Sequence, residues 1–240
     1  MKDKITKDII EKTFLSIFDL NPKIAKAEIL KHFAFDIKLP IMVNDSTTGE
    51  ETWAESMNPT KYVTQQNSEQ RETWMLEKRQ ISSIDDIIAT WREINYTTTE
   101  RNYNSESVFE SDTVYSCNNV IRSADCSDCH NIMFCDGCQH CNYCIASQRS
   151  GNCEFCLRVD DSSNCVNSYN VICSGKISNS FFIQDCSDLH ECIFCSHISN
   201  KRYCVANMQF EKAEYFKIKD EIIKWIFTEI GETDIALELA

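Results

Sequence analysis

Residues 126–144 read CSDCHNIMFCDGCQHCNYC, six cysteines in one short stretch. Such density suggests a zinc site or a disulfide knot. The spacing suggests something else. Of the fifteen cysteines, all but Cys173 fall in one frame of three between Cys117 and Cys204. Every third residue from Ser105 to Ile198 is Ser, Cys, Val, Ile or Leu: 13 Cys, 9 Ser, 5 Val, 4 Ile and 1 Leu over 32 positions. A metal site would impose no order on Val108, Val114, Ile177 or Ile183. A chain that turns every third side chain inward would.

A period of twelve overlies the triplets. Ile121, Met133, Ile145, Leu157, Tyr169, Phe181, Ile193 and Val205 form an apolar column, which Phe109 extends backwards. Asn104, Ser116, Asp128, His140, Asn152, Asn164, Lys176, Asp188 and Asn200 form a polar one. A fixed short repeat denotes a solenoid, and twelve residues are too few for a helical repeat. The fold expected is therefore α+β: a narrow parallel β-helix of twelve-residue coils and about eight turns. N-terminal helices and a C-terminal helix flank it. At about 4.8 Å per coil the rod rises roughly 38 Å. Four inward positions per coil leave room only for small side chains. Cysteine serves as a small hydrophobe, and inward serine can bond to the backbone. Asn and Asp suit the corners, because they bond locally and tolerate left-handed φ.

Cys126, Cys129, Cys135, Cys138, Cys141, Cys144, Cys153, Cys156, Cys186, Cys192 and Cys195 are thus expected in the core. Cys173, out of frame, is expected outside as the most reactive thiol. No cofactor is expected. A competing reading makes the column Cys117, Cys129, Cys141, Cys153, Cys165 a soft-metal site, with zinc as the ion and His130 and His140 nearby. The C-x-x-C pairs follow from the triplet frame in any case. The apolar column from Ile121 to Val205 is expected to face out as a stripe, covered by the chain's own C-terminal helix or by a partner.

Three parts follow: residues 1–103, mainly helical; 104–205, the solenoid; 206–240, a capping helix and tail. Ile9, Ile10, Phe14, Ile17 and Phe18 mark a first amphipathic helix. Asn21-Pro22 reads as the cap of a second over 23–33. Residues 45–70 read as a polar extended arm. Ser83, with Asp85 and Asp86 following, begins a third helix through IIATWREI. The stretches 83–103 and 206–230 are expected to close the solenoid's ends.

The net charge is −13 and the pI about 4.8, which argues against direct nucleic-acid binding. The solenoid carries twelve acidic and six basic residues, net −6, so an acidic mimic of DNA is one alternative. The N-terminal segment holds Asp3, Asp8 and Glu11 and does not read as a secretory signal. No apolar run approaches a membrane span of roughly 20 residues. A reducing, cytoplasmic setting is the expectation, with thiols free. Glycine-rich phosphate loops, G-x-S-x-G and H-E-x-x-H motifs are missing, so no enzyme is expected.

Two resemblances bear on this. The repeat resembles the beetle antifreeze β-helix, which also has twelve-residue coils with inward Cys and Ser. That family's Thr-x-Thr ladder is absent here, and ice binding is not carried over. The segment NKRYCVANMQFEKAEYFK, residues 200–217, resembles the ending of cysteine-rich repeat proteins from uncultivated bacteria and their phages. Asn200, Lys201, Tyr203, Cys204, Asn207, Gln209 and Phe210 match it. The resemblance implies a repeat protein in a phage or bacterial host, without catalytic residues. The function expected is a structural or docking module of a larger assembly, such as a phage virion. Its partners would be other proteins or itself. A metal-binding or thiol-redox protein and a DNA-mimic inhibitor are the alternatives.

Overall fold

The computed structural model describes residues 1–20, 23–56 and 61–232. The chain forms a β-solenoid of about nine turns with twelve-residue coils, flanked by N-terminal helices and a C-terminal helix. Parallel pairing steps by twelve throughout: Ile121 pairs with Met133, Met133 with Ile145, Ile145 with Leu157, Leu157 with Tyr169, and so on to Ile193 with Val205. The rod exceeds the expected eight turns because Asn102–Tyr103 already pairs with Val114–Tyr115. The first coil therefore begins before the inward frame does.

The corners explain how so small a coil closes. Every third residue from Asn104 to Ala206 has positive φ, Gly137 included. Each triplet is one left-handed corner, one inward residue and one wall residue, four triplets to a coil. A left-handed conformation costs an ordinary L-residue about 1–2 kcal/mol. Asn and Asp bear it best, and Asn119, Asp125, Asp128, Asn131, Asn152 and Asn164 are among those placed there. Corner side chains stack at coil spacing. Asn119 donates to Asn131 at 2.8 Å and Asn167 to Asn179 at 3.1 Å. The rings of Phe182 and Phe194 lie parallel, 4.4 Å apart.

Among the described residues, five helices and four further strands flank the rod. Helix α1 (Lys2–Phe18) ends where Asp19 turns left-handed and its N–H returns to Leu15. Helix α2 (Lys26–Phe33) starts from Ala25; the expected cap at Asn21-Pro22 lies outside the described residues. Strands β1 (Ile41–Asn44) and β2 (Glu51–Ala54) form an antiparallel hairpin. Strand β3 (Tyr62–Thr64) runs into α3 (Gln65–Gln70), capped by the Thr64 hydroxyl. Helix α4 (Ile84–Ile94) has the expected start, a reciprocal cap between Ser83 and Asp86. Strand β4 (Thr97–Thr99) pairs parallel with β3 and leads into the first coil. Helix α5 (Lys212–Glu232) follows the last coil.

Residues 45–70 are not an extended arm over their described part. Asp45, fully buried, accepts hydrogen bonds from the backbone N–H groups of Thr47, Thr48 and Thr64 and from Asn67 Nδ2. One carboxylate thus gathers the hairpin, β3 and α3. Burial alone would raise its pKa, but these hydrogen bonds hold it well below the usual carboxylate range. The unit joins the rod through Asp112, which accepts from the backbone and guanidinium of Arg101 and from Glu55 N–H.

Candidate functional site

The thiols come first. The frame cysteines lie inside the rod with Val, Ile and Leu of the same frame, in one continuous core from Val114 to Cys204. All fifteen are free thiols, and Cys173 alone is exposed. Their geometry is that of a filler that satisfies backbone. Cys129 Sγ contacts the carbonyls of Ser127 (3.2 Å) and Cys138 (3.3 Å). The amide of Cys129 donates to Cys117 Sγ at 3.2 Å, and that of Cys141 to Cys129 Sγ at 3.4 Å. Inward serines do the same: Ser123 Oγ donates to the Ile121 carbonyl and accepts from the Cys135 amide, both at 3.0 Å. Ser and Cys interchange in the frame because both fill the space and meet the same backbone groups.

The column Cys117, Cys129, Cys141, Cys153, Cys165 is stacked as the sequence suggested, and each member is buried. His130, on the outer wall, and His140, at a left-handed corner, are both exposed, outside the core that holds the thiols. His140 faces Asp128 at 3.9 Å instead. Among the described residues no three or more His, Cys, Asp or Glu side chains are grouped to hold a metal. Thiol–thiol hydrogen bonds, then burial, push the Cys138 and Cys144 pKa values well up. Burial raises Cys186 and Cys204. That keeps these four thiols protonated and poorly nucleophilic, whereas hydrogen bonds from neighbouring thiols shift Cys126, Cys141 and Cys195 downward. Cys173 sits at a left-handed corner with φ 48°, in the column of Asp161 and Asp185.

The apolar stripe is not an open interaction surface. Ile121, Met133, Ile145, Leu157, Phe181 and Ile193 are fully buried, and Tyr169 is nearly so. Only its ends, Phe109 and Val205, are partly covered. The sequence reading assigned self-coverage to the C-terminal helix alone; α1 shares the task. Its Ile9, Ile10, Phe14, Ile17 and Phe18 join one cluster with the stripe. Phe18 lies 5.4 Å from Phe181 and 5.6 Å from Tyr169, ring to ring. Thr13 donates to the Tyr143 carbonyl and Ser16 to Asn167. Lys2 and Lys26 both pair with Glu110, tying α1 and α2 to the rod. Helix α5 closes over the rest. Phe227 packs on Phe14 and Phe18, and Lys219 pairs with Glu191 at 2.9 Å. Burying each large apolar side chain contributes about 1.5–3 kcal/mol, which is why two helices cover the stripe.

The ends differ from expectation in one respect. At the C-terminal end, Met208–Gln209 folds back antiparallel on the last coil. Asn207 reproduces a missing coil there, accepting from Ser196 N–H and donating to Ser196 O. At the other end Arg101–Tyr103 makes the contact, and α4 does not. Helix α4 has no buried residue. Ile84 is 70%, Ile87 47%, Ile88 42% and Trp91 56% exposed. The stretch 83–103 was expected to close the solenoid's end, and the apolar side of α4 is bare instead.

A surface groove between α1 and the segment entering α2, lined by Thr6, Ile10 and Ile24 with Lys7, Glu11 and Lys26, has no cysteine in its lining. No helix among the described residues is long and apolar enough to cross a membrane. Compared with protein-family models, curated proteins and solved structures, the chain has no match. Its own geometry defines its class: a cysteine-rich β-solenoid with twelve-residue coils.

Proposed function

We propose that this protein is a non-enzymatic structural or docking module of a larger assembly, with a phage particle as its setting. The observation that carries the reading is the solidity of the rod. Four inward side chains fill each coil, the coils pair in register over about nine turns, and the stripe is covered by the chain itself. At about 4.8 Å per coil the rod is roughly 43 Å long. A filled interior leaves no internal chamber for substrate, so what the solenoid offers is stiffness and a patterned outer wall. The phage setting rests on the resemblance of residues 200–217 to the ending of phage and bacterial repeat proteins. The partners would be proteins of that assembly or further copies, without membrane insertion or direct nucleic-acid binding, in host cytoplasm and virion.

The test is affinity capture of the tagged chain from its native source, with sedimentation and mass spectrometry. Co-sedimentation with capsid or other assembly proteins is the expected result. Recovery as a free monomer, or with one nucleic-acid enzyme, or with stoichiometric metal, would overturn the reading.

A further inference from the structure

We propose that α4 is a self-association surface: the helix binds α4 of a second copy, antiparallel and two-fold symmetric. The inference stands apart from the structural-module reading and does not depend on it.

The first observation is the face itself. Ile84, Ile87, Ile88 and Trp91 lie along one side of α4 with none of them buried. These four exposures amount to about two fully exposed large side chains. At roughly 150–200 Å² each, that is on the order of 400 Å² of apolar surface per copy. It lies within the range of the largest patches on monomers, and is about half of the roughly 800 Å² per partner of a standard interface. The helix is also held in shape without a partner. The Ser83–Asp86 reciprocal cap fixes its start, and Arg79 makes two 2.9 Å bonds to Glu93 near its end.

The second observation is charge, and it selects the occupant. Asp86 is used in the cap and Glu93 by Arg79. Asp85 and Arg92 have no ion-pair partner among the described residues, and both are exposed. They are seven residues apart, so they share one flank of the apolar face. In an antiparallel two-fold pair the same flanks meet with ends reversed. Asp85 of each copy then faces Arg92 of the other, twice per dimer, and the two helix dipoles oppose. A parallel two-fold pair would put this flank on opposite sides of the seam and leave both charges without a partner.

Sedimentation equilibrium of the full chain at tens of micromolar tests this. The expected result is a dimer that Ile88→Asp converts to monomer with an unchanged far-UV circular dichroism spectrum; Ile84→Gln is the second variant if the first fails to fold. Asp85→Arg and Arg92→Asp should each weaken the dimer roughly ten-fold, and the double reversal should restore it. Restoration separates pairing between copies from each charge's own effect on its helix, which the double reversal leaves unfavourable. A monomer at these concentrations, a dimer indifferent to Ile88 and Ile84, or a double reversal no better than either single change would overturn the proposal. So would a monomer that binds another protein through α4.

Discussion

Cys141 offers the sharpest test of the inward frame. The residue is 1% exposed, and its Sγ lies 3.3 Å from the Gln139 carbonyl and 3.6 Å from the Ser150 carbonyl. Replacing it with Ser keeps a donor in the same place, as Ser150 does with the Gln148 carbonyl at 2.7 Å. The loss is the apolar contact of one sulfur, about 1 kcal/mol. Replacing it with Asp puts an acceptor-only group against two carbonyl acceptors in a dry core. An unpaired buried charge costs several kcal/mol even after its pKa rises, about 4 kcal/mol or more. Against a total stability of about 5–15 kcal/mol, that is the difference between a folded and a barely folded protein. Urea unfolding followed by far-UV circular dichroism reads it. With a slope near 2 kcal/mol/M, Ser should move the midpoint by about 0.5 M and Asp by about 2 M. Cys141→Val should behave like Ser, since Val159 and Val171 already occupy the frame. Equal cost for Ser and Asp would refute the inward assignment, and loss of folding with Val would mean the thiol is needed for its chemistry.

Phe14 is fully buried between Phe18, Phe33 and Phe227, so Phe14→Ala should cost about 3–5 kcal/mol and loosen both α1 and α5, seen as a lowered thermal midpoint. Lys176 is an exposed corner with φ 57°, and Lys176→Gly should raise stability by up to about 1 kcal/mol; a loss would contradict the left-handed corner. Two carboxylates give opposite pH dependences. Asp45 is held below its usual range when folded, so its contribution is full above about pH 4 and falls as the pH drops further, a loss that Asp45→Asn should flatten. Asp136 is pushed up to about 6, chiefly by burial, so its contribution declines as the pH rises from about 4 through 6; Asp136→Asn should remove that decline in unfolding titrations.

The solenoid was legible because its signal repeats. The inward frame, the twelve-residue step and the Asn/Asp corners each recur many times, so the coil could be counted before it was located. What stayed hidden depends on contacts made once. Asp45 is an ordinary acid in a polar run until Thr64 and Asn67 are brought back to it. The face of α1 was plain from Ile9 to Phe18, and so was the need to cover the stripe. Joining the two required knowing that the chain returns across more than a hundred residues, which periodicity cannot report. Helix α4 failed in the opposite sense. Its start at Ser83 and its run through IIATWREI were read from the sequence, but a helix start does not say which surface the helix faces. The extra coil was missed because Asn102–Tyr103 enters the rod through backbone pairing, with no inward Ser or Cys to announce it.

Timed alkylation of the native, metal-free, unreduced protein, read by intact mass and peptide mapping, tests the central claim most directly. If the cysteines are the dry filling of a β-solenoid, one thiol reacts quickly and maps to Cys173. The other fourteen react only on unfolding, and together. Rapid labelling at Cys129, Cys141 or Cys153, or disulfides between frame positions, would contradict it.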